Sequence, residues 1–304
     1  MLTIFNYLWG SINSNELASP LANFIAAISG ISSAPPAPFG RRYPARLARP
    51  SDDSITLLSA NLWHDYPKHR RQMERLEAFA QLVEQQNADI VMLQEVAHTS
   101  DLHADEWLAK RLRMSYFYSR ANGNERAIGF EEGLAVLSRF PLGEPQHLSL
   151  GGDALPFTRR WALGVEVETH VGKLMAVSTH LALSPLHNKN QLARLRSWVA
   201  GMSGEVPVLI GGDFNAHESS AQINQTQHAW LDIFRQVNPH MDGTTFEREM
   251  PGRLKNLRLR FDYLFLQPGD VCWKTLHARH LFNPGRPHSD HRAVLARLAP
   301  IPCA

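Results

Sequence analysis

Residues 206–218 read VPVLIGGDFNAHE, an apolar run that leads through two glycines to an aspartate and an asparagine. Val206, Val208, Leu209 and Ile210 form a short apolar run around Pro207. Its length and β-branched content suit a buried strand. Gly211 and Gly212 are expected to end that strand, because glycine lets a backbone turn sharply or approach a ligand. Asp213 and Asn215 follow, and residues two apart on a strand point to the same side. A carboxylate and a carboxamide are then presented together on a rigid base. Gly, Asp and Asn are equally ordinary turn residues. The stretch alone leaves both readings open, and what surrounds it decides.

Working outward, strand and helix signals alternate from residue 54. Strands are expected at 55–62, 89–93, 133–137, 261–266 and 293–298, with a hairpin of 161–168 and 174–179 turning at 170–173. Residues 68–86 carry Met73, Leu76, Phe79, Ala80 and Val83 at helical spacing, an amphipathic helix. Residues 106–112, 191–200 and 230–234 also read as helices. Hairpin signals exclude a purely parallel sheet, and a mixed sandwich of two sheets with helices outside fits the pattern. Asn61, Glu95, His180, Asp213, Asn215, Asp262, Asp290 and His291 all stand at or just beyond strand ends. A single site at one edge of the sandwich accounts for them together. Taken singly, Asn61 reads as a turn or cap residue, His180 as a core histidine and Asp262 as a partner of Arg260.

The chain has 304 residues and a formal net charge of +2, which argues against a strong nucleic-acid field without excluding a local basic face. Cys272 and Cys303 form neither a disulfide framework nor a zinc site by pattern, and Cys303 reads as incidental. A reducing, cytoplasmic setting is favoured. Residues 1–50 read as an N-terminal extension and linker, and residues 51–300 as the domain. The apolar part of the extension, 21–31, is broken by Asn23 and too short to span a bilayer. No basic residue precedes Arg41, so it reads as neither signal peptide nor transmembrane helix. The extension either packs or frays, or lies on a membrane surface as an interfacial helix flanked by Arg41, Arg42, Arg46 and Arg49.

The strand-end set points to metal-assisted phosphoester chemistry. Glu95 and Asp290 are hard oxygen ligands of the type Mg²⁺ or Mn²⁺ takes, and Asn61 adds a neutral oxygen. His291 serves as general base, oriented by Asp262. Asp213 and Asn215 hold the attacking water or steady phosphoryl oxygens, and His180 donates to developing charge. No GxSxG, P-loop or GxGxxG is present.

In order along the chain, SANLW (Asn61), DIVMLQE (Glu95), GLAVLSRFPL, STHL (His180), GGDFN (Asp213, Asn215), Trp230 with Asp232, TTF (244–246), RFDYLF (Asp262) and HSDHRAV (Asp290, His291) resemble the endonuclease/exonuclease/phosphatase, or DNase I-like, superfamily. The resemblance implies a four-layer α/β sandwich of two mixed, largely antiparallel sheets flanked by helices. It implies Mg²⁺-dependent hydrolysis of a phosphate ester by direct water attack, with Glu95 as chief metal ligand and His291 paired to Asp262. Gln94–Glu95–Val96–Ala97 departs from the AP-endonuclease pattern, and Asn215–Ala216–His217–Glu218 from the inositol-phosphatase pattern. The general hydrolase and neutral sphingomyelinase-like branch fits best. A small or lipid phosphoester is therefore the leading substrate, nucleic acid the alternative, and a non-catalytic binding module a third reading. Arg159 or Arg160 is expected near the phosphate. Oligomeric state is not legible.

Overall fold

The strand signal at residue 55 becomes β2 (Ile55–Asn61), whose every residue is buried. Ile55 and Leu57 face one apolar cluster, and Leu58 and Ala60 another. A strand apolar on both faces belongs between layers. The computed structural model describes residues 37–43, 53–154, 158–202, 204, 206–249 and 256–303. In it β3 (Ile90–Thr99) runs parallel to β2, and β16 (Ala293–Ile301) pairs antiparallel on the other side. The full order is β1 (Phe39–Arg41), β5 (Ser115–Asn124), β6 (Phe130–Ser138), β3, β2, β16 and β15 (Cys272–Leu281), with β4 (Leu102–His103) on β3.

The second sheet runs β11 (Leu231–Asp232), β14 (Asp262–Gln267), β10 (Val208–Asp213), β9 (Gly172–His180), β8 (Arg159–Thr169) and β7 (Leu142–Gly152). Only β9 and β10 are parallel in it. Leu57, Met92, Leu163, Ala176, Leu209 and Leu264 meet between the sheets. Each of the buried Leu and Met side chains among them contributes roughly 2 kcal/mol. Outside the first sheet, α1 (Gln72–Gln86) and α2 (Ala104–Leu112) bury Leu76, Phe79, Val83 and Leu108. Outside the second, α3 (Pro185–Met202) buries Leu192, Leu195 and Val199 against Val177 and Ile210. Helix, sheet, sheet, helix is the four-layer sandwich. A short ribbon, β12 (Phe246–Arg248) with β13 (Leu257–Leu259), stands beside it.

Several sequence expectations change. Gly211 and Gly212 do not end β10; they lie inside it. A Cβ on Gly212 would sit 2.2 Å from the Thr179 carbonyl oxygen, and one on Gly211 would sit 2.9 Å from Met92 Sδ and 3.0 Å from Ser59 Cβ. Gly211 lets the two sheets close together under the site, and Gly212 leaves room for the Thr179 carbonyl of the neighbouring strand β9. Helix α1 starts at Gln72, because His69 and Arg71 before it hold left-handed φ of 45° and 51°. Residues 230–234 divide into β11 and α4 (Ile233–Val237), with Asp232 Oδ1 capping Arg235 N at 3.2 Å. Phe39–Arg41, read as linker, pairs with Tyr116–Tyr118 at the sheet edge. Residues 1–36 lie outside the described residues, and the expectation of a membrane-lying helix lies there with them. No helix among the described residues is long and apolar enough to cross a membrane. Cys303 is not incidental: it forms a disulfide with Cys272, joining the start of β15 to the segment after β16.

Candidate active site

Alternation along the strands sends one set of side chains into the seam between the sheets. Leu57 continues to Asn61, Ala176 to His180, Leu209 to Asp213 and Leu264 to Asp262. All four polar residues are buried, and they collect where the apolar seam ends. Beneath them Gln94 Nε2 donates to Ser178 Oγ at 3.0 Å and Ser178 Oγ to the Leu93 carbonyl at 2.8 Å, stitching the two sheets.

Glu95 reaches this group by a different route. Ile90, Met92 and Gln94 share the inner face, so simple alternation would send Glu95 outward. A register shift between Leu93 and Val96, with Glu95 itself at φ 52°, turns it back. Its Oε1 then accepts from Asn61 Nδ2 at 2.9 Å and its Oε2 from the His64 main-chain N–H at 3.2 Å. Burial pushes the Glu95 carboxyl up, but the neighbouring His64 and His180 imidazoles and the Asn61 amide outweigh it and hold the pKa at about 2.

Asn61 differs from its expected part. Its Oδ1 accepts the Trp63 N–H at 2.8 Å, so its Nδ2 faces both Glu95 and Asp213, the latter at 3.1 Å. In this arrangement it brackets two carboxylates. Asp213 is the hub: Oδ1 accepts from Asn215 N at 2.9 Å, and Oδ2 lies 3.6 Å from His180 Nε2 and 4.0 Å from His291 Nδ1. Burial, reinforced by the Asp262 charge, raises its pKa to about 7. Asn215, at φ 47°, gives Nδ2 to the Leu181 carbonyl at 2.9 Å and to His180 Nε2 at 3.1 Å. His180 Nε2 is therefore an acceptor and its proton sits on Nδ1, so in this arrangement Nε2 is not the atom that donates to developing charge. Burial, with Arg160 adding, drives the His180 pKa well below its ordinary value.

His291 Nδ1 and Asp262 Oδ2 are 2.8 Å apart and buried. Burial opposes the imidazolium, but Asp262 and Asp213 together raise its pKa well above the ordinary value. Thr245 Oγ1 accepts the N–H groups of Phe261 and Asp262 at 3.0 and 3.1 Å, and its carbonyl accepts Arg292 N at 2.7 Å. That residue, from the TTF stretch, ties the segments carrying Asp262 and His291. Asp290 is exposed at the mouth. Protein bulk around its carboxyl pushes its pKa up, with Glu95 adding and His291 opposing.

Arg260 does not pair with Asp262. Fully buried, it grips Asp232 at 2.7 and 2.8 Å and Glu218 at 3.1 Å, under the rings of Phe234 and Tyr263. Arg160 binds Asp153 at 3.1 Å, and its charge is felt by His180 and Glu132. Glu132 was not singled out from the sequence. It is buried, bonded to Asn122 Nδ2 at 2.5 Å, and burial raises its pKa despite the opposing influence of the His64 imidazole, the Asn122 amide and Arg160. Two glutamates opening the otherwise apolar run FEEGLAVLS were its signal.

The donor set fits a hard divalent cation. Glu95 is ionised, every expected ligand atom is an oxygen, and the buried Asp262 Oδ1 has no hydrogen-bond partner. Asp213, Asp262 and His291 hold ligand-type atoms within 4.8 Å of one another; Glu95 and Asp290 are not joined by a third such residue within that span among the described residues. His98, His103 and Glu125 make a second cluster of this kind. There the two imidazole rings stack 4.1 Å apart at 7°, and parallel ring planes cannot both contain one metal ion.

The model of the Endonuclease/Exonuclease/phosphatase family matches residues 58–291. The chain belongs to this family, whose members are divalent-metal-dependent phosphoester hydrolases. It is 31% identical over 230 residues to the uncharacterized protein YbhP of Escherichia coli (strain K12), covering 70% of this chain and 83% of that one. Its fold is similar to that of an endonuclease/exonuclease/phosphatase family protein from Leptotrichia buccalis C-1013-b, with a TM-score of 0.66 at 16% identity over 80% of this chain and 98% of the other. D. rerio TDP2 complexed with single strand DNA product gives 0.65 at 17%, over 81% and 99%. At these identities the structural likeness speaks to fold.

Proposed function

We propose that this chain hydrolyses a small or lipid phosphate ester by attack of water activated at His291. The observation that carries the reading is the buried 2.8 Å pair of His291 and Asp262, set beside the chain of hydrogen bonds from Asp213 through Asn61 to Glu95. Asp262 accepts from Nδ1, and in the neutral imidazole Nε2 takes a proton from water; a divalent cation held at Glu95 and Asp290 would offset the carboxylates that favour the imidazolium. Asp213 and Asn215 orient that water or the phosphoryl oxygens, and Asp262 holds the imidazolium that forms. Glu95 and Asp290 would hold Mg²⁺, or Mn²⁺, with the Asn61 amide fixing the Glu95 carboxylate. The cation supplies Lewis-acid polarisation of the phosphoryl oxygen.

A nucleic-acid substrate is the second reading, prompted by the single strand DNA product bound in D. rerio TDP2. The near-neutral charge of +2 favours a small or lipid ester over it. The Cys272–Cys303 disulfide favours an oxidising compartment over the cytoplasm. Cleavage of plasmid DNA, RNA, sphingomyelin, a phosphoinositide and bis-p-nitrophenyl phosphate, each with Mg²⁺, with Mn²⁺ and with EDTA, separates these readings. Metal-dependent turnover of a lipid or small ester supports the first; DNA or RNA cleavage with binding that weakens steeply in salt supports the second.

A further inference from the structure

Residues 62–71 form a loop whose conformation is costly and tightly held. Trp63, Asp65, His69 and Arg71 all take left-handed φ, at 50°, 50°, 45° and 51°, and none is glycine. Asp65 accepts from Arg70 Nε at 2.7 Å and Nη2 at 2.9 Å. Buried Arg75 donates Nη1 to the carbonyls of Leu62 and Trp63 at 2.8 and 2.5 Å, and Nε to that of Arg70 at 3.1 Å. Its guanidinium also lies over the Trp63 ring, 4.8 Å from the centroid.

The loop delivers His64 to Glu95. The His64 main-chain N–H and ring Nε2 both approach Glu95 Oε2, at 3.2 and 3.5 Å. The ring is oriented from two sides. Its Nδ1 accepts the Tyr66 N–H at 3.0 Å, and its edge meets the Phe130 ring at 5.1 Å and 62°. The His64 carbonyl is in turn within 2.9 Å of His69 Nδ1. A main-chain N–H can only donate, so Nδ1 is an acceptor and the ring proton belongs to Nε2. His64 therefore cannot offer Nε2 to a metal; it can only donate from it.

We propose that His64, fixed by the 62–71 loop and Arg75, is a positioning residue that holds the Glu95 carboxylate in its metal-binding orientation. The proposal rests on Glu95 being the chief metal ligand. Glu95 needs such help because its own backbone sits in the left-handed region, where the strand ladder no longer dictates its direction. Donors to a ligating carboxylate typically change metal affinity by about 10–100-fold when removed.

Mn²⁺ binding by titration calorimetry on the full chain tests this, beside thermal melts of the metal-free proteins. His64→Ala is expected to weaken Mn²⁺ about 10–100-fold, and His64→Gln, whose amide N–H can reach the same oxygen, to recover part of the loss. Wild-type affinity in His64→Ala overturns the proposal, even where its melting temperature falls, since that marks a merely structural role. Glu95→Ala is the control. If it binds Mn²⁺ as the wild type does, the assignment of Glu95 fails, and the inference about His64 fails with it.

Discussion

Asp213 touches most of the pit, yet His291 and Asp262 carry the chemistry proposed here. Asp262→Asn keeps the shape of the pair but removes the charge that orients Nδ1–H and stabilises the imidazolium. Loss of a positioned base typically costs about 10²–10⁴-fold in rate. Single-turnover kinetics of Asp262→Asn should show a fall of that order, with Mn²⁺ affinity near wild type; an unchanged rate would remove Asp262 from the mechanism. At this scale much was legible. Asn61, His180, Asp213 and Asp262 lie on one strand face with apolar neighbours, so a period of two places them. Orientation was not legible. The Asn61 amide faces the carboxylates because Trp63 N–H takes its oxygen, and the His180 proton sits on Nδ1 because Asn215 donates to Nε2. Glu95 and Asn215 depend on left-handed backbone at non-glycine residues, which no pattern of side chains announces.

Among the elements, central strands such as β2, β3 and β10 showed themselves as apolar runs because both faces are covered. β5, β7 and β15 did not. β15 sits at a sheet edge and alternates weakly, as CWKTLHARHL, and β7, also at an edge, contains Pro145. β3 also carries a buried charge that the pit does not use. His98 lies between Asp105, at 2.6 Å from Nε2, and Glu131, at 3.4 Å from Nδ1. Burial lowers its pKa, but the two carboxylates outweigh this and raise it to about 9. The folded value lies above the ordinary 6.5, so the stabilisation is complete below pH 6.5 and is lost as pH rises through 9. Its size is on the order of 3 kcal/mol. Urea unfolding at pH 6 and pH 9.5 should show the wild type losing stability that His98→Gln does not lose. Parallel pH dependence in the two proteins would mean that His98 is neutral in the fold.

For the whole molecule, the two sheets approach closely at Gly211, and the polar site lies just beyond, at Asp213. The order of motifs along the chain announced the sandwich, since each motif marks one strand end. The disulfide escaped notice because two cysteines 31 residues apart carry no pairing signal until β15 and β16 are known to be neighbours. A closed loop of this length adds about 4 kcal/mol of stability. The double variant Cys272→Ser with Cys303→Ser should therefore unfold at lower denaturant concentration, and reductant should shift the wild type toward it. Identical midpoints with and without reductant would show the cysteines unpaired.

The most direct measurement is phosphodiester hydrolysis by the wild type and His291→Ala, with Mg²⁺, after EDTA, and after metal is restored. Turnover is expected to stop with EDTA, to return with Mg²⁺ or Mn²⁺, and to be lost in His291→Ala although that variant still binds metal. Turnover indifferent to EDTA, or undiminished in His291→Ala, would contradict this mechanism.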